Sequence, residues 1–222
     1  MNILEILEKY KSAFLLGISV TLKLCLVIWG LGIFIGLILG VFAYRIKSIN
    51  FLIKAINFGL SSMPVLVLLF WLHYPLQAIL GIVINPFITT AFTLTLINIF
   101  GVSNIVCSNL NEIPNEYREV AKVCNISEYS IFSKIEFPMM LRLALPTILV
   151  LQVNMLHLTL FGSLISVEEI FRICQQINSQ IYQPIEVYST LALFFLIISL
   201  PLNGFAIYLK IKLSNYQTTS TR

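Results

Sequence analysis

Apolar runs long enough to cross a bilayer recur along this chain, and they constrain its fold more than any other feature. The hydrocarbon core of a membrane takes roughly 20 apolar residues per helix, and windows of that length begin near Ala13, Ala55, Phe87, Met139 and Ile185. Unpaired backbone groups are too costly in lipid, so only helices or closed barrels can span it. A barrel needs segments of about 10 residues with alternating polarity, whereas these runs are apolar throughout. The expectation is an all-α integral membrane protein with five transmembrane helices, at about 13–43, 55–72, 87–110, 139–165 and 185–209, in a single domain over residues 1–222. Composition points the same way: 58% of residues are hydrophobic, 11% are charged, and the mean hydropathy is +0.92. That leaves too little polar surface to clothe a soluble globule.

Within this frame several local signals stand out. Ile3, Ile6, Leu7, Tyr10 and Phe14 recur at helical spacing, which describes an amphipathic helix placed to lie in the interface before the first span. Met1–Tyr10 carries Glu5 and Glu8 and no basic leader, so the N-terminus is expected to be retained. Gly32, Gly36 and Gly40 form two overlapping GxxxG patterns, which predict close packing of the first span on another helix. Pro64 should kink or start the second span. Cys25, Cys107, Cys124 and Cys174 form no CxxC pair and have no His-rich surroundings, so they are expected to be packing residues, with no metal site.

Charge sets the orientation. The chain has 14 Lys and Arg against 10 Glu and no Asp. Ten of the 14 lie in three segments: Arg45, Lys47 and Lys54; Arg118, Lys122, Lys134 and Arg142; and Lys210, Lys212 and Arg222. The positive-inside rule puts those segments in the cytoplasm. With five spans the N-terminus is then outside and the C-terminus inside. Lys9, Lys11 and Arg172 stay outside, where Glu5, Glu8, Glu168, Glu169 and Glu186 offset them, and Lys23 can snorkel from the first span. The net charge of +4 is topological, and no nucleic-acid partner is implied.

The one long charged segment, 112–138, reads as two short helices. Asn125 suits the left-handed conformation that ends a helix, Ser127 suits the cap of the next, and Pro138 is expected to stop that helix before the fourth span. The exposed face of such a pair could seat in a groove on a cytosolic partner.

Here the chain resembles the type I permeases of binding-protein-dependent ABC importers, whose cytoplasmic loop carries E-A-A-x3-G-x9-I-x-L-P. Glu119, Ala121, Ile135 and Pro138 fall on that pattern without a gap, with Val120, Asn125 and Phe137 at its other three defined positions. The resemblance implies a coupling loop that docks on a separate ATPase through Glu119, Ala121, Asn125, Ile126, Ser127, Ile135 and Pro138. A salt bridge inside the loop is the other role open to Glu119.

The resemblance also selects a branch. Ser61-Ser62-Met63-Pro64 and the run to Phe70 are similar to R-G-T-P-L-L-V-Q-L-F of polar amino acid permeases. The stretches 174–179 (CQQINS) and 183–188 (QPIEVY) are similar to that branch's A-Q-Q-I-A-S and R-P-F-E-V-Y. The likeness covers roughly residues 15–213 and implies a permease that works as a dimer with a second copy or a homologous permease. It also implies an extracytoplasmic solute-binding protein and a bacterial inner-membrane location. Where the branch has L-K-D-T-S-L, this chain has Leu156-His157-Leu158-Thr159-Leu160-Phe161, and Ser61 replaces the branch's Arg. A solute of lower or different charge, or a partner subunit that supplies the charges, would accommodate this. Pro64, Asn154, His157, Thr159 and Phe161 are the residues expected on the pathway. Asn154, His157 and Phe161 share one helical face, although His157 could equally bond to a neighbouring helix.

The chain has no GxxxxGK[ST] phosphate loop, so no ATPase activity and no cofactor of its own are expected; ATP would be used by the partner. A gradient-driven transporter would need intramembrane carboxylates, and no Glu lies deep in a span. A non-transporting membrane scaffold derived from a permease is the other reading. Glu168, Glu169, Gln175 and Gln176 are expected in an outer loop, either docking a binding protein or simply solvated.

Overall fold

The computed structural model describes residues 2–218 and is helical along nearly all of that length. Arg222, counted above among the basic residues, lies outside the described residues. The chain begins with α1 (Ile3–Lys9) and α2 (Lys11–Arg45). Glu5 accepts a hydrogen bond from the Asn2 backbone N–H at 3.2 Å, closing the start of α1. Ile6 is fully buried in a cluster with Phe14, Ile173, Ile177 and Val187, so α1 packs on the bundle.

The second apolar segment departs from expectation. The break falls at Pro64, as expected, but the segment is longer and more sharply bent than a kinked span at 55–72: α3 (Lys47–Ser62) is followed by α4 (Val65–His73) and α5 (Pro75–Leu80), with a 95° bend at the break. The cause is local. Pro64 has no N–H to continue the α3 ladder, and it drives Met63 into extended backbone at φ −100°, ψ 134°. Gly81, at φ 65°, ends α5 in the left-handed region. Then α6 (Pro86–Asn111) starts with proline at its first position and with Asn85 accepting from the Phe87 N–H at 2.8 Å. Among the described residues, four helices are long and apolar enough to cross a membrane, and the bent pair makes a fifth.

Lipid gives helices no hydrophobic reason to associate, so close contact depends on small residues and polar pairs. The glycines of α2 supply the first. An added Cβ on Gly36 would lie 2.7 Å from Val102, one on Gly40 would lie 2.6 Å from Val106, and one on Gly32 would overlap the Asn98 side chain. The GxxxG face therefore packs directly on α6, as its pattern predicts. The polar pair lies beside it. Asn98 and Gln152 are both buried and bond to each other through their amides, while Asn98 also donates to the Ile28 carbonyl at 2.9 Å.

After α6 come α7 (Asn115–Val123) and α8 (Glu128–Ile131). The chain then runs without a stop through a π-turn, Phe132–Glu136, into α9 (Phe137–Leu158). Pro138 thus does not end the helix before the fourth span. It sits at the start of α9, just past the π-turn, where a missing N–H and a proline ring are best tolerated. A 3₁₀ segment, Thr159–Ile165, completes this 38-residue path. It leads through Ser166, at φ 72°, to α10 (Ile170–Ile181) and α11 (Pro184–Thr218).

Candidate functional site

Two regions carry the residues singled out from the sequence. The first is the loop of α7, its turn, and α8. The helix α7 ends with Asn125 at φ 54°, where the Asn125 N–H bonds to the Lys122 carbonyl at 2.9 Å and the Ile126 N–H to the Ala121 carbonyl at 3.0 Å. Those two bonds define a Schellman motif with asparagine in the usual glycine position. Ser127 then caps α8, accepting from the Ser130 N–H at 3.3 Å. Lys122 and Glu128 pair across the turn at 3.3 Å; both are largely exposed, so the pair adds little stability.

This arrangement sorts the expected coupling residues. Glu119, Asn125, Ile126 and Ser127 are exposed, Ile135 and Pro138 are half-buried, and Ala121 is buried beneath α7. Ala121, Ile126 and Ile135 meet in a shallow apolar groove of about 390 Å³ with Tyr117 and Val120. Around it Val120 is 64% exposed, Val123 87% and Tyr129 78%. Apolar side chains concentrated on a charged loop form an exposed patch of the kind that marks an interaction site.

The second region is the 154–161 stretch of α9 and its 3₁₀ continuation. Asn154 and His157 are exposed, and Phe161 packs in the cluster that includes Val65, the neighbour of Pro64. Pro64 itself is exposed at the α3–α4 break. Thr159 is fully buried in this chain, its hydroxyl donating to the Leu156 carbonyl at 2.7 Å. His157 lies with Nε2 2.9 Å from Ser199 Oγ on α11 and packs edge-on against Phe195. His157 thus bonds to the next helix and also keeps an exposed ring.

Glu169 corrects an expectation. Its side chain is fully buried, and its carboxylate accepts from the Phe171 and Arg172 N–H groups at 2.9 and 2.8 Å, capping α10. It is unavailable to a docking protein. Burial pushes its pKa up to about 7, against those two hydrogen bonds. The sequence reading also missed Asn98, Gln152, Glu136 and Tyr44. Only Asn98 left a trace, lying on the α6 face that the α2 glycines require. Among the described residues, no three His, Cys, Asp or Glu side chains converge to hold a metal ion.

Known proteins share this architecture. The histidine/lysine/arginine/ornithine transport system permease protein HisM of Salmonella typhimurium is 26% identical over 215 residues, covering 88% of this chain and 91% of that protein. HisM of Escherichia coli K12 is 29% identical over 110 residues, covering 50% of this chain and 46% of that protein. The crystal structure of an amino acid ABC transporter with histidines superposes with a TM-score of 0.84 at 20% identity, covering 96% of this chain and 99% of that one. An inward-facing MetNI methionine ABC transporter gives 0.74 at 20% identity, covering 93% and 98%. At such identities the structures speak for the fold alone. Residues 32–214 match the family of binding-protein-dependent transport system inner membrane components, and the chain belongs to that family as a multi-pass protein of the bacterial inner membrane.

Proposed function

We propose that this chain, over its whole length 1–222, is one permease domain of an ATP-binding-cassette importer for a polar amino acid or similar small solute. The single observation that carries this reading is the apolar surface of Val120, Val123, Ile126 and Tyr129, displayed outside the spans on two short helices and the turn between them. A separate ATPase would grip it, since the chain has no phosphate loop of its own. Family membership supports an ATPase and a binding protein as partners, and the amino acid transporters among its relatives support the solute class. The distribution of basic residues supports the N-terminus outside and the C-terminus with the 112–138 loop in the cytoplasm.

Five spans enclose no pathway alone, so a second permease copy or a homologue completes it. The exposed Asn154 and His157, with Pro64, Thr159 and Phe161, form this subunit's wall, and ATP-driven closure of the ATPase pair shifts the population between two packings of the bundle. Glu119→Arg, tested in the complex isolated from its native membranes, should release the ATPase or abolish its response to the permease while the chain still inserts. Unchanged ATPase binding and hydrolysis would contradict this reading.

A further inference from the structure

Three side chains from separate elements meet where α7 approaches the bundle. Arg118 of α7 donates through Nε to Glu136 Oε1 at 2.9 Å, and its Nη2 reaches both that same oxygen and Tyr44 Oη. Glu136, the last residue of the π-turn, is only 7% exposed. A carboxylate that deeply buried needs a charged partner, and Arg118 is that partner. Arg45, the last residue of α2, sits over the ring of Phe132, the first residue of the π-turn, at 4.6 Å from its centroid. One end of the π-turn is therefore held by α7 and the other by α2.

Among the described residues the backbone of α7 packs mainly against α8, so the Arg118 side chain is a direct link from α7 to the bundle. These groups border an open polar cleft of about 570 Å³, which leaves room for them to shift. Single π-turns inside α-helices are also frequent at functional sites. Neither Arg118 nor Glu136 falls on a defined position of the coupling-loop pattern, so the contact is additional to that motif.

We propose that Arg118, Glu136 and Tyr44 form a clamp that carries displacement of α7 into α2 and, through the π-turn, into α9, a role that rests on the permease reading above. Arg118 is then a positioning residue for transport. It touches no solute, and it converts movement at the ATPase into rearrangement of the spans.

The test uses the complex isolated with its native partners, in a Cys124→Ser background that removes the exposed thiol. Val150→Cys, on the α9 face of Asn154 and His157, reports on the pathway through its labelling rate with a membrane-impermeant maleimide. With the unaltered clamp, trapping the ATPase with ATP and vanadate should change that rate by about fivefold or more. Complexes carrying Arg118→Gln or Glu136→Gln should still hydrolyse ATP through the partner ATPase but lose the change, and the reversed pair, Arg118→Glu with Glu136→Arg, should restore it. Single variants that keep the full change would overturn the clamp. If those variants fail to assemble, Tyr44→Phe, which keeps the ring, decides: a reduced response supports the clamp and a full one overturns it. An unaltered complex that shows no labelling change on trapping would overturn the functional reading, and the clamp with it.

Discussion

Asn98 on α6 and Gln152 on α9 exchange two amide hydrogen bonds, at 2.8 and 3.1 Å, inside the membrane-spanning bundle. Asn98 also donates to the Ile28 carbonyl at 2.9 Å, and Trp29 adds to the junction by donating to the Gln152 backbone carbonyl at 3.1 Å. Asn98→Leu strands the Gln152 amide, whereas the double change to leucine removes both demands. A double-mutant cycle on detergent-solubilised protein should give a coupling of about 1 kcal/mol, in the range of polar pairs between membrane helices. Additive losses would mean that the two amides do not act as a pair.

Gly36 sets how closely α2 and α6 approach. A Cβ there would lie 2.9 Å from the Ile99 carbonyl oxygen as well as 2.7 Å from Val102, and backbone cannot rotate away as a side chain can. Gly36→Ala should cost about 1–3 kcal/mol of thermal stability through overpacking. Gly30→Ala, with nothing within 4 Å, is the control and should be neutral or stabilising.

Asn125 is where the loop turns. Glycine accepts its φ of 54° without the steric cost that an L-residue bears there. Asn125→Gly should preserve both turn hydrogen bonds and leave ATPase stimulation within about twofold of the unaltered chain, with the loop slightly stabilised. Asn125→Val should weaken coupling, because a β-branched residue resists this conformation. A large loss with glycine would sink this description of the loop.

Glu169 should make stability depend on pH. Its carboxyl is raised from 4.5 to about 7 by burial, so between those values the folded chain holds a proton that the unfolded chain has released. Its contribution is complete below about 4.5 and is lost as pH rises through about 7. Thermal unfolding measured at several pH values across that window should show a midpoint that falls as pH rises, and Glu169→Gln should flatten the slope. Equal slopes in the two proteins would contradict the assignment.

Features with a local cause were readable from residues alone. Asn125 and Ser127 end and cap helices by their own backbone chemistry, and the α2 glycines announce close packing by their spacing. Pro64 signalled a break, but the 95° turn depends on where α4 finds its packing partners, which no local pattern encodes. Pro138 misled because a π-turn, set by tertiary contacts at Glu136 and Phe132, lets a helix continue past it. Glu169 looked like a solvated loop residue because its burial accompanies the packing of α10 against α2, distant in sequence. Arg118 and Glu136 are 18 residues apart, and their pairing appears only once α7 and the π-turn are placed side by side.

The central claim, a permease that draws its energy from a separate ATPase, is tested most directly by purifying the tagged chain from its native membranes in mild detergent and identifying its stable partners by mass spectrometry. The account predicts a P-loop ATPase together with a second permease, either another copy of this chain or a homologue. Recovery of the chain with no ATPase, under conditions that keep a reference transporter complex intact, would contradict it.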